Sequence, residues 1–569
     1  MKIIKPLIAV IFIVIFCVIG AEYLGGPQSW DDLLYMDLSL NPHHSHDYIH
    51  YLNRHFHIYL QKIFLDLSAT PLLGAKIYWS FLISATMVLI FLTSRLLAKQ
   101  SVYLTGIIAV ILFSAQSIIW YNGGDTYAGF TAMMMVSLVT FLYVHIISRK
   151  SGRNKYLLVL LGLLFYFAVR SKETSIFAAV LFLGLGGGSE RSALYGFFRE
   201  FKFVALGILL GMAGLIFLDR IMFDDFFISV NPSHIKAYLA NNLRYEVQKN
   251  PKNWLYYLCR TNVLAVPFLF YIVGLSRRYN ERLPREQAVI WFMPLFLLLL
   301  LNAYLLLIPI DVRHLIPVIP IFCILASQAF DPWENHISRF LRSKNLFSGR
   351  YSRYHLLCAL SLIFAASYFI CYLCEAGLRV SLEGSGKSLL SVFRLIAFPY
   401  ATAFLLISPF FIDRFRSKVV IISIFCISLI SYSAFAPAKQ CLNFIKEKKL
   451  AAKAESRFYP FAVFSGSIND PGGIKIFISG NIFKKYRMLG RDAHSCAWMY
   501  NIFFDRSLRW EQVCYSDDLG EISKERFDYV LLTRGDWKKL PAYKLPQEEP
   551  FSRLYRKKSK DKFVLLILR

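Results

Sequence analysis

Two adjacent carboxylates, Asp31 and Asp32, lie about ten residues beyond the first long apolar run of the sequence. If that run crosses a membrane, a carboxylate pair just above it is costly unless it is solvated or used. One carboxylate is therefore a candidate general base that takes a proton from an acceptor hydroxyl, while the other orients that hydroxyl or binds a cation. The structural alternative is that Asp31 caps a helix running from Leu33 to Leu40.

Four basic residues lie at the ends of apolar runs on the same predicted membrane surface. Arg54 precedes an amphipathic stretch before the second apolar run, and Arg170 and Lys172 lie between two weaker runs. Arg313 begins a late apolar run that contains two prolines three residues apart. An arginine binds phosphate through two parallel hydrogen bonds, and an arginine at membrane depth is a functional residue by default. For each of the four, the alternative is an anchor at the membrane interface.

Three acidic or histidine residues beside these cations are candidate substrate contacts. Asp125 stands where an apolar run begins again, so it is either a helix N-cap or a second acidic group facing the same cavity. Glu173 and His314 each follow directly after one of the basic residues. The sequence therefore predicts a charged, substrate-facing surface assembled from several separate loops.

Half of the twelve histidines lie in one stretch, from His43 to His57. His55, within this stretch, is a fourth candidate substrate contact. A zinc site or another divalent cation is conceivable here, since imidazole is a common zinc ligand. The spacing matches no known zinc motif and no cysteine joins the group, so a solvated polar loop is the alternative.

The elements that would position these residues are membrane helices. Of the 569 residues, 56% are hydrophobic and 18% charged, and the mean hydropathy is +0.46. Soluble domains are about 45–50% apolar and about 25% charged. This composition excludes a disordered chain, a collagen-like fibre and a disulfide-rich secreted scaffold, and it predicts a polytopic α-helical membrane protein.

A bilayer core of about 30 Å needs roughly 20 apolar residues in each helix. By this criterion thirteen candidate spans occur, at residues 4–20, 77–95, 103–120, 127–147, 156–170, 174–188, 202–218, 257–275, 288–306, 313–329, 355–374, 389–411 and 418–436. The fifth and sixth are short, which suggests tilted or broken helices. Residues 1–436 thus form one membrane module, with long outside loops at 21–76 and 219–256.

Lysine and arginine are more abundant in the loops on one side of this arrangement, and the side richer in them is cytoplasmic. The N-terminus is therefore expected inside, and an odd number of spans puts the tail outside. We expect an integral protein of a bacterial inner (plasma) membrane whose site faces the periplasm or exterior. The first span also resembles a signal peptide, but its removal would move no other loop.

Residues 437–569 have the texture of a soluble domain and predict a small extracytoplasmic α/β fold. Short buried strands are expected at Lys475–Ser479, Tyr529–Thr533 and Phe563–Leu568. In an oxidising compartment, Cys496 and Cys514 could form a disulfide or remain thiols.

Several functions have no support in the sequence. The net charge of +27 would suit nucleic acid, but no binding module is recognisable, and basic residues between apolar runs instead anchor a chain against anionic lipid. The glycine-rich segment 184–189 lacks the Lys-Ser/Thr of a phosphate loop and follows no strand. A nucleotide-dependent enzyme is therefore not expected.

The pattern as a whole resembles the membrane glycosyltransferases of the GT-C fold. It is most similar to the branch that contains the protein O-mannosyltransferases and the bacterial lipid A aminoarabinose transferase, which use polyprenyl-phosphate sugars as donors. Thirteen spans with an external α/β tail match the layout of the latter. The motifs that carry the resemblance are the pair Asp31-Asp32, Arg54 before the second span, the step Lys172-Glu173, and the run Arg313-His314-Leu315-Ile316-Pro317-Val318-Ile319-Pro320.

This resemblance implies a reaction and a set of roles. Asp31 would deprotonate an acceptor hydroxyl on a lipid, glycan or protein, and the hydroxyl would displace polyprenyl phosphate with inversion at the anomeric carbon. Arg54, Lys172 and Arg313, with Arg170 as a further candidate, would stabilise the leaving phosphate. The family's acidic pair is commonly Asp-Glu, so the Asp-Asp pair here leaves open whether Asp31 or Asp32 is the base. No cofactor is required by this mechanism, although a divalent cation is compatible with it.

Two other functions share the spans and the basic interfaces. One is a transporter or flippase for lipid-linked saccharides, which needs neither an acidic pair in the first loop nor an external tail. The other is an O-antigen ligase or polymerase, which also acts on lipid-linked sugar.

Overall fold

The structure is a computed structural model. It describes residues 10–18, 30–40, 54–69, 71–99, 102–114, 127–148, 154–185, 193–226, 285–305, 312–331, 476–479, 513–516, 518–524, 529–539, 552–553 and 563–567, with a few shorter stretches. The predicted spans at 355–374, 389–411 and 418–436 lie outside the described residues, as does most of the predicted span 257–275.

Helices form most of the described membrane module. In chain order they are α1 (10–18), α2 (Trp30–Leu40), α3 (His55–Asp66), α4 (Pro71–Leu97), α5 (Val102–Ser114), α6 (Tyr127–Ser148), α7 (Lys155–Ser171), α8 (Ala193–Phe223), α9 (Arg285–Leu305) and α10 (Ile319–Ser327). Segments of 3-10 helix occupy Glu173–Gly184, Val312–Val318 and Gln328–Phe330.

Three of the described helices are long and apolar enough to cross a membrane, namely Leu73–Leu97, Ala128–Ser148 and Tyr195–Phe223. Shorter apolar helices cover Tyr103–Ser114, Glu173–Gly184 and Leu315–Phe330. The helical membrane architecture therefore agrees with the sequence, while the number thirteen stays a prediction.

The predicted short span at 174–188 is a 3-10 helix in the structure, Glu173–Gly184. A 3-10 helix rises about 2.0 Å per residue instead of about 1.5 Å. Twelve residues therefore cover about 24 Å in this form, against about 18 Å in an α-helix. The tighter winding lets a segment that is short for a membrane span reach further.

Helices α7 and α8 pack with their backbones in contact. A Cβ atom on Gly162 would lie 2.0 Å from the carbonyl oxygen of Val204, and one on Gly207 would lie 1.9 Å from that of Val159. Close approach through small residues is the usual way in which membrane helices pack without a hydrophobic driving force. Further along, Gly211 lies against Tyr166, so the two helices run in the same direction.

Helix α8 continues to Phe223, five residues beyond the predicted end of that span at residue 218. Asp219 was expected in the second outside loop but lies inside the helix, with a fully buried side chain. The extension is stable because polar groups of α3 bind this carboxylate, as described below.

The tail contains a five-stranded sheet with strand order β2-β1-β3-β5-β4. The strands are β1 (Ile476–Ser479), β2 (Val513–Ser516), β3 (Tyr529–Thr533), β4 (Ser552–Arg553) and β5 (Phe563–Ile567). β1 pairs with β2 and β3 in parallel, and β5 pairs with β3 and β4 in antiparallel orientation. The three predicted strands occur within one residue of their expected bounds, whereas β2 and β4 were not predicted.

A carboxylate ties the ends of two parallel strands together in this sheet. Asp536 accepts hydrogen bonds from the hydroxyls of Ser479 and Thr533, each at 2.6 Å, and from the side-chain amide of Asn481 at 2.9 Å. Burial by itself would raise the pKa of Asp536, but these hydrogen bonds outweigh it and hold the pKa below its ordinary value. The predicted disulfide involves Cys496, which lies outside the described residues, so it stays a prediction.

Candidate functional site

Arg54 and Glu173, which are 119 residues apart in the sequence, meet at the N-terminal end of α3. The Nε and Nη2 atoms of Arg54 each donate to one carboxylate oxygen of Glu173 at 3.5 Å. The side chains are 14% and 26% exposed, so the pair lies at an accessible boundary and not in the core. The structure thus brings a predicted phosphate ligand and a predicted substrate contact to one point.

Tyr35 connects this pair to α2, the helix that carries the acidic pair. The Nη1 atom of Arg54 donates a hydrogen bond of 2.7 Å to the Tyr35 hydroxyl, and the guanidinium also lies 5.9 Å from the Tyr35 ring centre. Tyr35 is almost completely buried. Asp31 and Asp32 lie one helical turn earlier on the same helix, about 5–6 Å along its axis. Because α2 begins at Trp30, Asp31 belongs to the first helical turn and is not the cap of a helix starting at Leu33.

Lys172 is buried between the start of α6 and the 3-10 helix that contains Arg313. A Cβ atom on Gly129 would lie 3.5 Å from the Lys172 Nζ atom and 3.6 Å from Cδ1 of Ile316. Ile316 follows Arg313 by one turn of the 3-10 helix Val312–Val318. An ammonium group and the N-terminal turn of a helix both carry positive potential, so this region favours an anion.

Arg170 lies at the end of α7, where its charge interacts with the carboxylates of Asp219 and Glu173. Asp219 also accepts a hydrogen bond from the Tyr59 hydroxyl, and its carboxylate lies 3.2 Å from Nδ1 of His55. Both His55 and Asp219 are fully buried. Burial and the neighbouring Asp219 charge raise the pKa of Tyr59 well above its usual value, so this hydroxyl stays protonated and donates.

Asp219 was missed by the sequence reasoning. A signal existed, because an acidic residue within an apolar helix is expensive unless it has a partner. The predicted span ended at residue 218, so Asp219 was assigned to the following outside loop. His55 was a candidate substrate contact; the structure places it on this buried carboxylate, on the side of α3 that faces α8.

His57 forms a second buried polar cluster on α3. Its Nδ1 atom lies 2.8 Å from the Thr131 hydroxyl and 3.1 Å from the Tyr78 hydroxyl, and those two hydroxyls are 2.5 Å apart. Burial, and secondarily the charge of Arg54, lower the pKa of His57 to about 3. In the folded protein His57 is therefore neutral at physiological pH.

Other predicted site residues are described only in part. The backbones of Asp31, Asp32, Arg313 and His314 are placed by α2 and the 3-10 helix Val312–Val318, while their side chains lie outside the described part of the chain. Asp125 is also outside it, two residues before α6 begins at Tyr127. The roles of these five residues stay predictions.

The same limit applies to a metal site. Among the described residues, no group of three or more His, Cys, Asp or Glu side chains is placed to hold a metal ion. The histidines between positions 43 and 50 are not among those residues, so a divalent cation in this loop stays a prediction.

The described geometry is suited to binding an anion next to a carboxylate-bearing helix. Three cations from two separate segments gather around the carboxylate of Glu173 and the start of α6: Arg54 before α3, and Arg170 and Lys172 at the end of α7. Such clusters stabilise phosphate groups, and more strongly when the phosphate gains charge as a leaving group.

No protein-family model matches the sequence, and no curated protein matches it. Solved structures do match the fold. ArnT from Cupriavidus metallidurans bound to undecaprenyl phosphate aligns with a TM-score of 0.53 and 12% identity over 98% of this chain and 97% of that one. ArnT from the same organism in the apo state aligns with a TM-score of 0.54 at the same identity and coverage.

These alignments extend over nearly the full length of both chains, so the likeness of fold is not limited to one part of the chain. They confirm, at the level of the fold, the resemblance to GT-C membrane glycosyltransferases. Together with the long apolar helices, the fold identifies the chain as an integral membrane protein.

Proposed function

We propose that this protein is a glycosyltransferase that moves a sugar from a polyprenyl-phosphate donor to a hydroxyl of a lipid, glycan or protein acceptor. The reaction takes place at the outer face of a bacterial plasma membrane. In an ArnT chain of the same fold, undecaprenyl phosphate is the bound molecule. A donor carried by a lipid also agrees with the absence of any nucleotide motif in the sequence.

The observation that carries the proposal is the meeting of Arg54 with Glu173 and Tyr35. The predicted phosphate ligand of the first loop contacts the Lys172-Glu173 step, 119 residues away, and the helix that holds the acidic pair. A transporter needs cations along its path but has no need for a carboxylate pair fixed one helical turn from a phosphate clamp. The arrangement therefore favours group transfer over transport.

In the proposed reaction, the acceptor oxygen forms a bond to the anomeric carbon while the bond from that carbon to the phosphate oxygen breaks. The acceptor proton passes to a carboxylate of α2, Asp31 or Asp32, acting as general base. Polyprenyl phosphate leaves with added negative charge, which Arg54, Lys172 and Arg313 stabilise. A single displacement inverts the anomeric configuration.

The proposal is tested with the full-length protein purified in detergent. Lipid-linked sugars extracted from the host membrane serve as donors, and host surface glycolipids and glycans serve as acceptors. The expected result is release of free polyprenyl phosphate that depends on the acceptor and requires no membrane gradient. Arg54→Ala should reduce this release strongly, because it removes a group that meets the developing charge.

Lys62→Ala is the matched control, since Lys62 is a basic residue of the same helix whose partner is the exposed Asp66. It should keep the activity of the unmodified protein. Movement of lipid-linked sugar across vesicles without release of polyprenyl phosphate would instead establish a transporter.

A further inference from the structure

We infer that Glu173 is a built-in counter-ion that competes with the phosphate of the lipid for Arg54 and so promotes release of polyprenyl phosphate. This rests on the proposed function, because it takes Arg54 as a ligand of that phosphate. Glu173 would thus be neither a proton-transfer group nor a sugar contact. Its role would be to hold the arginine when the phosphate is absent and to weaken the grip on the phosphate when it is present.

The contact geometry supports an exchangeable pair. Glu173 accepts from the Nε and Nη2 atoms of Arg54. This is the guanidinium edge through which arginine commonly binds a phosphate or carboxylate with two parallel hydrogen bonds. Both contacts measure 3.5 Å, whereas charge-assisted hydrogen bonds are usually about 2.7–2.9 Å. The pair is therefore in register but loose, and an incoming phosphate competes for the same donors.

The neighbouring residue on the same helix shows what a fixed pair looks like in this protein. His55 and Asp219 are both fully buried, whereas Arg54 and Glu173 are 14% and 26% exposed. A ligand arriving from the outside loops can reach the Arg54–Glu173 pair but not the His55–Asp219 pair. The difference in burial marks the Arg54–Glu173 pair as the one that can exchange partners.

The surrounding charges explain why a carboxylate is useful at this point. Arg54, Arg170 and Lys172 together would hold a polyprenyl phosphate tightly in a medium of low dielectric constant. The Glu173 carboxylate interacts with Arg170 as well as with Arg54. When the phosphate takes the Nε and Nη2 donors of Arg54, the Glu173 carboxylate loses its contact with that guanidinium, and this loss reduces the net free energy of phosphate binding. A product that would otherwise stay bound is released faster.

The test measures binding of undecaprenyl phosphate to the purified full-length protein in detergent, without any need for turnover. Glu173→Gln keeps the size and one acceptor oxygen, replaces the other oxygen with an NH2 group, and removes the charge. It should bind undecaprenyl phosphate roughly fivefold more tightly, the upper end for a partly exposed charge pair, and release it more slowly by a similar factor. Arg54→Ala should bind more weakly, and Glu173→Gln added to Arg54→Ala should give no gain.

Two further variants separate charge from shape. Glu173→Asp keeps the charge and should bind undecaprenyl phosphate as the unmodified protein does. Asp66→Asn removes an exposed carboxylate that pairs with Lys62 on the same helix, and it should leave binding unchanged.

The outcomes distinguish this inference from the proposal on which it rests. If Arg54→Ala weakens binding but Glu173→Gln does not strengthen it, Glu173 only supports the arginine, and the counter-ion role is wrong while the proposed function stands. If Arg54→Ala leaves binding of undecaprenyl phosphate unchanged, the phosphate site itself is wrongly placed. If Glu173→Gln strengthens binding even without Arg54, the carboxylate acts on the phosphate through other cations, and the inferred exchange at Arg54 is overturned.

Discussion

The hydroxyl of Tyr35 should position Arg54 for the phosphate, and Tyr35→Phe tests this with a change of one oxygen atom. The hydroxyl accepts a 2.7 Å hydrogen bond from Nη1 of Arg54, and its ring is nearly completely buried. Phenylalanine fills the same space, so the packing of α2 should survive. The guanidinium would then lose this hydrogen bond and keep its two contacts of 3.5 Å to Glu173.

The expected size of the effect follows from that single hydrogen bond. A hydrogen bond to a charged group contributes about 1.5–3 kcal/mol when fully buried. Arg54 is 14% exposed, so water replaces part of the loss, and about 1–2 kcal/mol is the expected range. This corresponds to roughly five- to thirtyfold weaker binding of undecaprenyl phosphate.

The assay is a double-mutant cycle in the same binding measurement. Tyr35→Phe, Arg54→Ala and the combined variant are each titrated with undecaprenyl phosphate. If Tyr35 acts through Arg54, then Tyr35→Phe should have almost no further effect once Arg54 is alanine. Tyr143→Phe is the matched control, because Tyr143 is also buried and donates to the backbone oxygen of Glu286 at 3.1 Å, away from the site.

Two results would refute this reasoning. Additive losses in the double variant would show that the Tyr35 hydroxyl contributes to folding or to binding independently of Arg54. An equal loss of binding in Tyr143→Phe would show that removing any buried tyrosine hydroxyl weakens the protein in a general way.

Three other predictions concern the buried charges. Asp219→Ala should destabilise the protein by about 3 kcal/mol, because it removes the carboxylate that His55 and Tyr59 contact in the buried interior. Asp66→Ala, which breaks an exposed pair with Lys62, should change the thermal unfolding temperature in detergent very little. His57 should stay neutral in the folded protein down to about pH 3, whereas a histidine in the unfolded chain gains a proton near pH 6.5. The free energy of unfolding should therefore fall by about 2 kcal/mol between pH 6.5 and 5. Thermal unfolding of His57→Gln should show a smaller loss over the same pH range. The pKa of Asp536 in the folded protein lies below its ordinary 3.8. Its contribution to folding stability is therefore present above pH 3.8 and is lost as the pH falls through the pKa of the folded state. Asp536→Ala should speed amide hydrogen exchange in β1 and β3 at pH 7, and the difference from the unmodified protein should be smaller near pH 3.

The sequence identified charged residues of the candidate site better than it predicted their contacts. Arg54, Lys172 and Glu173 were found because a charge beside an apolar run is conspicuous, and the structure brings them together. Tyr35 and Asp219 were not singled out, because their roles depend on partners that are far away in the chain. The bond from Tyr59 to Asp219 joins residues 160 positions apart, and no local pattern encodes such a contact.

For the fold, too, local sequence patterns predicted features of single segments but not those that depend on contacts between distant residues. Apolar runs predicted α6 and α7 within one residue of their observed ends, and α4 with its start six residues late, since length and hydropathy determine a membrane span. The end of α8 was placed too early because a charged residue was taken as the membrane boundary. In fact Asp219 continues the helix, since tertiary partners satisfy its carboxylate. The 3-10 form of Glu173–Gly184 could not be predicted from the sequence either, because apolar 3-10 and α-helices have the same amino-acid composition.

Helix α3 is fixed on three sides, and this determines where motion can occur at the site. His55 and Tyr59 bind Asp219 on α8, and the backbone oxygen of Ile58 accepts a hydrogen bond from Ser39 on α2. His57 contacts hydroxyls of α4 and α6.

Since these anchors are buried, the helix itself is a rigid support, while Arg54 at its N-terminal end is the accessible part. In the proposed exchange, a phosphate would replace Glu173 at Arg54 through a change of one side-chain contact, without displacing the helix. A support of this kind keeps the clamp in a fixed position relative to Asp31 and Asp32 on α2, which an in-line displacement requires.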